Sequence, residues 1–116
     1  MRDEVPADAG LAAALGAAAG ARGIDLVPVK VATVDALYRE TPADVHGWLR
    51  RGARAINMET APLYAASAVC GVRSLWLGHV SDTLSLETHA WESWQRPIAM
   101  TDVTVALTVG LLERLE

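Results

Sequence analysis

Glycines divide this chain into alternating helix-prone and strand-prone segments, and this alternation leaves few folds open to it. Segments rich in alanine and leucine end near Gly20 and Gly23, at Gly52 and at Gly71, and β-branched residues follow. Strands that alternate with helices form βαβ units, in which neighbouring strands run parallel. The sequence therefore predicts an α/β fold with a mostly parallel sheet and alternating helices.

Caps, stops and β-branched runs predict the individual elements. Four helices are expected, over residues 6–22, from the cap Thr41 to Gly52, over 60–69, and from Thr101 or Asp102 to Leu115. Three strands are expected, over residues 24–34, 53–57 and 72–80, and a long loop over 83–99. Because Pro28 has no N–H to donate, the first strand is expected at a sheet edge or with a bulge.

Length and charge limit the number of domains and the classes of partner. At 116 residues the chain has room for one domain, residues 1–116. Its 10 basic and 14 acidic side chains give a net charge of −4, so we expect no positive surface for a nucleic acid. The apolar segment 11–19 is interrupted by Gly16 and is shorter than the roughly 20 residues of a membrane span. Neither a nucleic acid nor a membrane is an expected partner.

Cysteine and histidine usage argues against disulfide and metal chemistry. Cys70 is the single cysteine and is expected to be buried, and no cationic segment precedes an apolar run at the N-terminus, so the default compartment is a reducing cytoplasm. His46, His79 and His89 lack the spacing of metal ligands, and no metal site is predicted. His79 is expected to be a hydrogen-bonded core residue, the alternative being a proton shuttle to Asp82.

Two acidic residues stand where strands are expected to give way to helices, at the sheet edge where ligands gather in parallel α/β proteins. Glu59 opens the third helix, where the helix dipole favours a carboxylate that accepts hydrogen bonds from sugar hydroxyls. Asp82 ends the third strand, where burial would favour its protonated form and make it a proton donor. From position alone, an ordinary capping or solvated role is the more frequent one for both acids.

Three ordered motifs carry a resemblance to a known family. They are Asp-Ala-Leu-Tyr-Arg-Glu-Thr-Pro at 35–42, Ile-Asn-Met-Glu-Thr-Ala at 56–61 and His-Val-Ser-Asp at 79–82. With this spacing the chain resembles the purine nucleoside phosphorylase and uridine phosphorylase superfamily over residues 23–116, and Ser81-Asp82 resembles its purine-cleaving members. The resemblance implies the carboxyl-terminal half of a nucleoside-phosphorylase-like fold.

The resemblance also implies a reaction and its residues. Phosphate, as co-substrate and with no further cofactor, would attack the anomeric carbon of a purine nucleoside, which is the chemistry of a pentosyltransferase. Glu59 would hold the ribose hydroxyls, Met58 would pack against the sugar and Asp82 would protonate the departing base. Further substrate contacts are implied for Asn57, Ser81, Leu37 and Tyr38, and assistance to the acid for Gln95 or Arg96.

Departures from the family pattern bear on the affinity for the base and on whether the chain holds the whole site. Leu37 replaces an aromatic residue that stacks on the base, Asn57 replaces an acid, and Gln95 replaces an arginine, although Arg96 is adjacent. No glycine-rich phosphate loop occurs in the sequence. We therefore expect a homo- or hetero-oligomer with a chain that carries the amino-terminal half and the phosphate site. A catalytically silent nucleoside-binding or assembly module, a truncated remnant and a segment of a longer chain are the alternatives.

Overall fold

The computed structural model describes residues 4–36, 40–88, 90–93 and 97–115, with the side chains of 97–99 left out. The chain forms two compact units: unit 1 comprises Met1–Asp8 and Leu26–Leu75, and unit 2 comprises Ala9–Asp25 and Trp76–Glu116. No helix in this described part of the chain combines the length and the apolar character that a membrane crossing requires. The elements are, in chain order, α1 (Ala9–Ala21), β1 (Lys30–Thr33), α2 (Pro42–Arg50), β2 (Ala53–Asn57), α3 (Thr60–Cys70), β3 (Asp82–Leu84), β4 (Trp91–Ser93) and α4 (Pro97–Leu115).

Unit 1 is built on a parallel pair of strands. β1 pairs with β2, and the register is irregular between Lys30 and Val31. α2 connects the two strands, and α3 follows β2 and contacts β1. Because the strands run in the same direction, their carboxyl ends, Thr33 and Asn57, are register partners at one edge of the sheet. The connection from β2 to α3 starts at this edge.

Local sequence signals define the elements of unit 1 that the sequence predicts. Oγ1 of Thr41 accepts a hydrogen bond from the backbone N–H of Asp44 (3.2 Å), and Pro42 is the first residue of α2. α3 ends at Gly71, whose φ of +67° lies in the left-handed region that favours glycine. The helix capped by Thr41, the strand at residues 53–57 and the helix from Thr60 are therefore confirmed.

Unit 2 consists of a helix pair and an antiparallel pair of strands. α1 packs against α4, and Leu107 on α4 is 1% exposed. Ala18 on α1 is fully buried, and a methyl group placed on Gly110 would lie 3.2 Å from its Cβ. Small side chains therefore set a close approach of the two helices. β3 pairs with β4, with Thr83 opposite Glu92.

Several expectations about strands and boundaries are wrong. The strand expected at 24–34 is confined to Lys30–Thr33, and residues 72–80 form no strand. β4 and the last two residues of β3 lie within the expected loop 83–99, and α4 begins at Pro97 rather than at Thr101 or Asp102. The α/β class is confirmed, but the described residues form one parallel and one antiparallel pair in place of a mostly parallel sheet. An apolar β-branched run becomes a strand only where a neighbouring strand receives its hydrogen bonds.

Burial around α3 and beyond it is lower than the sequence predicts. Thr60 and Tyr64 are the buried residues of α3, whereas Val69 is 88% exposed. Cys70 is exposed rather than buried, and His79 is exposed rather than a core residue. The expected environments of these two side chains are therefore wrong.

Candidate functional site

Glu59 lies in the short connection between β2 and α3. It occupies the N-cap position of α3, with φ −116° and ψ −31°, yet its side chain makes no capping hydrogen bond. One carboxylate oxygen, Oε2, accepts a hydrogen bond from the backbone N–H of Met58 (3.1 Å). Glu59 is exposed, and Met58 is 43% exposed. The carboxylate is therefore open to a ligand.

Asn57 and Thr33 take over the capping of α3. Oδ1 of Asn57 accepts hydrogen bonds from the N–H groups of Thr60 (3.2 Å) and Glu59 (3.4 Å). Oγ1 of Thr33 donates to the same oxygen (3.3 Å) and accepts from the N–H of Ala61 (3.1 Å). Nδ2 of Asn57 donates to Oγ1 of Thr60. We call Thr33, Asn57 and Thr60 the clasp, because they join two strand ends to the start of a helix.

The clasp determines which ligands suit this edge of the sheet. The backbone N–H groups of Thr60 and Ala61 already have acceptors, and Pro62 has no N–H. The next N–H, that of Leu63, donates to the carbonyl oxygen of Glu59 (3.1 Å). An anion at a helix start needs free N–H donors, whereas a hydroxyl group needs an acceptor. The junction therefore offers a carboxylate to hydroxyl groups.

Asp82 has a different environment in unit 2. It is the first residue of β3, where it is the register partner of Ser93, and its side chain is exposed. The preceding segment is not a strand, and Val80 is 56% exposed. The burial that was expected to favour a protonated Asp82 is therefore absent. Glu59 belongs to unit 1 and Asp82 to unit 2, and their convergence on one cleft stays a prediction.

A mostly apolar hollow of about 450 Å³ lies beside Ser81 in unit 2. It is lined by residues 76–79 and Ser81 and by Thr101, Thr104 and Val105 on α4. The indole of Trp76 lies against the backbone of Gly78, because a Cβ added to Gly78 would be 2.1 Å from the ring. Ser81 is thus one of the residues that line this hollow, whereas Asp82 is not.

Four predicted contact residues, Leu37, Tyr38, Gln95 and Arg96, lie outside the described residues, so their expected contacts stay predictions. His89 also lies outside the described residues. Among the residues that are described, no three His, Cys, Asp or Glu side chains are grouped as metal ligands would be.

Sequence reasoning missed Thr33 and Thr60, and it assigned Asn57 to the substrate. Thr33 ends β1 just as Asn57 ends β2, and the parallel register makes the two residues partners. A hydrogen-bonding residue at the end of each of two successive predicted strands was the available signal. It becomes informative only when the strand boundary at Thr33 is known, and the sequence predicted that boundary at residue 34.

Comparison with known proteins places the chain in a family. Residues 2–112 match the phosphorylase superfamily. A DeoD-type purine nucleoside phosphorylase from Caldanaerobacter subterraneus subsp. tengcongensis is 37% identical over 88 residues, which is 76% of this chain and 38% of the relative. The chain therefore spans well under half the length of the relative, and no solved structure gives a significant match. Since the family match extends over nearly the whole sequence, the chain belongs to the phosphorylase superfamily.

Proposed function

We propose that this chain supplies the sugar-holding and base-protonating groups of a site that cleaves purine nucleosides. Glu59 accepts hydrogen bonds from the ribose hydroxyls, Met58 packs against the sugar, and Asp82, next to Ser81, protonates the departing base. A further polypeptide segment supplies the phosphate site. The family match supports the reaction class, and coverage of 38% of the relative supports the need for a further segment.

The main support is the state of the Glu59 carboxylate. A side chain at an N-cap position ordinarily accepts the first N–H groups of its helix. In α3 those N–H groups bond to the clasp, and the exposed carboxylate makes no capping bond. Two hydroxyl groups on adjacent carbons, as in ribose, match the two oxygens of one carboxylate.

In the proposed reaction, Asp82 donates a proton to the departing base. A phosphate oxygen attacks the anomeric carbon, the N-glycosidic bond breaks, and its electron pair moves to the purine. A proton from Asp82 neutralises the base as it leaves, a contribution of about 10²- to 10⁴-fold in rate. Because Asp82 is exposed, we expect the further segment also to cover it when the nucleoside is bound. Activity is therefore expected only in the completed assembly.

One observation favours a second candidate function, a catalytically silent nucleoside-binding or assembly module. Within the described ranges, Asp82 is exposed, and residues 72–80 before it form no strand. A chain of this kind keeps Glu59 for sugar binding and has no need of a proton donor.

Release of hypoxanthine from inosine in the presence of phosphate separates the two candidates. The chain is assayed alone and after mixing with a polypeptide that carries the rest of the DeoD-type relative. We expect activity in the mixture alone, a decrease in kcat of about 10²- to 10⁴-fold for Asp82→Asn, and a decrease in kcat/KM of roughly 10- to 100-fold for Glu59→Gln. Glu113→Gln, which alters an exposed acid on α4, is the matched control and leaves the rate unchanged.

Two results decide against the catalytic candidate. An active mixture in which Asp82→Asn and Glu59→Gln equal the parent removes the assigned roles. An inactive mixture in which the chain still binds inosine through Glu59 supports the silent module.

A further inference from the structure

We infer that Asn57 and Thr33 are positioning residues for Glu59: the clasp caps α3 in place of the Glu59 side chain and so keeps that carboxylate for the sugar. This inference rests on the proposed sugar-binding role of Glu59. It assigns Asn57 a role within the protein, in contrast to the substrate contact that the sequence implied.

The first step concerns which side chain caps the helix. The acceptors at the start of α3 are Oδ1 of Asn57 for Thr60 N–H and Oγ1 of Thr33 for Ala61 N–H. With these bonds made, the carboxylate of Glu59 has no orphan donor of its own helix to bind. Without them, Glu59 occupies the N-cap position, from which a side chain ordinarily accepts hydrogen bonds from the first N–H groups of the helix.

The second step concerns how the clasp fixes the position of Glu59. Both the backbone and the side chain of Asn57 are fixed by hydrogen bonds. Its carbonyl oxygen accepts from the N–H of Val34 (2.9 Å), and its Oδ1 accepts from the hydroxyl of Thr33. On the other side of the connection Thr60 is 8% exposed and accepts from Nδ2 of Asn57. Met58 and Glu59 therefore form a two-residue connection between Asn57 and Thr60, which are both fixed. A connection this short between fixed ends has few backbone conformations.

The third step explains the amide at position 57. Asn57 donates through Nδ2 and accepts through Oδ1 at the same time, whereas an ionised carboxylate only accepts. Aspartate keeps the acceptor if the Thr60 hydroxyl turns to donate, but it adds a negative charge beside Glu59. Leucine keeps the approximate volume and removes every polar bond. Asn57→Asp and Asn57→Leu therefore separate the geometry of the clasp from its charge.

The test compares inosine with 2′,3′-dideoxyinosine, which lacks the two hydroxyls that Glu59 is proposed to hold. Dissociation constants are measured by NMR titration of the ¹⁵N-labelled full chain, and hydrogen exchange is followed at the amides of residues 59–61. We expect a preference for inosine of about tenfold or more, which is lost in Glu59→Gln without faster exchange. Asn57→Leu and Thr33→Val should lose the same preference and exchange faster, although Glu59 is intact.

Conservative variants guard against a simple loss of folding. Thr33→Ser keeps the hydroxyl and should restore both the preference and the slow exchange, and Asn57→Asp should keep slow exchange. Affinity for free hypoxanthine should not change in any of these variants, since the base does not contact the clasp.

The possible failures are distinguishable. If Glu59→Gln loses the preference for inosine but Asn57→Leu and Thr33→Val keep it, the positioning role is wrong and the sugar-binding role stands. If the unmodified chain shows no preference, or Glu59→Gln retains it, the proposed sugar-binding role is wrong, and the positioning inference falls with it. If exchange at residues 59–61 is faster in Glu59→Gln than in Thr33→Val, Glu59 caps its own helix and the inference is overturned.

Discussion

Two junctions, one in each unit, are held in place by different kinds of contact. In unit 1, the hydroxyl of Thr33 and the amide of Asn57 bond to the start of α3. In unit 2, α4 packs against α1, with Gly110 close to Ala18, and Leu107 on α4 is buried. Hydrogen bonds specify the position and direction of individual groups, whereas apolar packing mainly specifies the distance between helices. Glu59 belongs to the region where positions are specified, whereas Asp82 follows residues 72–80, which form no strand.

The largest expected effect concerns the packed region, and it comes from removing volume. Leu107→Ala deletes a side chain that is 1% exposed, so we expect the free energy of unfolding to fall by about 2–5 kcal/mol. Leu107→Met conserves volume and should lower it by less than about 1.5 kcal/mol. Urea denaturation measures both variants. Equal losses in the two variants would show that volume does not control the stability of this helix pair.

The next effect concerns the clasp, where the free energy of unfolding should depend on hydrogen bonds rather than on side-chain volume. Thr60→Val conserves shape but leaves Nδ2 of Asn57 without its acceptor, so we expect a loss of about 1–3 kcal/mol in urea denaturation. Thr60→Ser keeps the hydroxyl and should be close to the parent. If Thr60→Val is as stable as Thr60→Ser, the polar contacts of unit 1 contribute little, and the contrast between the units disappears.

A smaller effect tests the close approach of α1 and α4. Gly16 is exposed within α1 and has open space at its Cβ position, so Gly16→Ala should raise the free energy of unfolding by about 0.5–1 kcal/mol. Gly110→Ala gains the same helix propensity but brings its Cβ to 3.2 Å from Ala18 Cβ, so we expect a net loss. Thermal unfolding of the two variants gives opposite shifts. A stabilising Gly110→Ala would mean that the helices separate easily.

The smallest effect concerns a surface ion pair in unit 1. Nζ of Lys30 donates to Oε1 of Glu4 (2.7 Å) and to the carbonyl oxygen of Arg51 (3.0 Å). The hydrogen bond from Lys30, followed by its charge, lowers the pKa of Glu4 from its usual 4.5. A carboxyl whose pKa is lowered in the folded state stabilises that state at pH values above its usual pKa. This stabilisation is lost as the pH falls through the lowered pKa.

Glu4→Gln should therefore shift the urea midpoint slightly at neutral pH. The difference from the parent should vanish in acid, once the Glu4 carboxyl is protonated, and should shrink in high salt, because both partners are exposed. Glu87→Gln, another exposed acid, is the control and should show no such pH dependence. A difference that grows in acid would contradict the ion pair.

Elements defined by local chemistry were predictable from the sequence, and elements that need distant partners were not. Thr41 and Pro42 define the start of α2, and Gly71 defines the end of α3, because caps and left-handed glycines act within a few residues. Residues 72–80 are as β-branched as a strand, yet strand formation depends on a neighbour far along the chain. The position of Glu59 at a helix start followed from the first kind of signal.

The rest of the candidate site depended on contacts between residues far apart in the sequence. Thr33 could not be assigned to the clasp without the register of β1 on β2, since the two partners are 24 residues apart. The expected burial of Asp82 failed because it depended on a strand at 72–80. The resemblance of the sequence motifs implied the roles of both acids, and these roles stay predictions.

The separation between the clasp and Glu59 has a consequence for engineering and for evolution. Residue 59 is presented by a connection whose ends are secured by its neighbours, so it can change identity while β2 and α3 keep their arrangement. A basic or neutral side chain at this one position would offer the same platform to a carboxylate or an amide. A new ligand preference would thus require one substitution and no redesign of the scaffold.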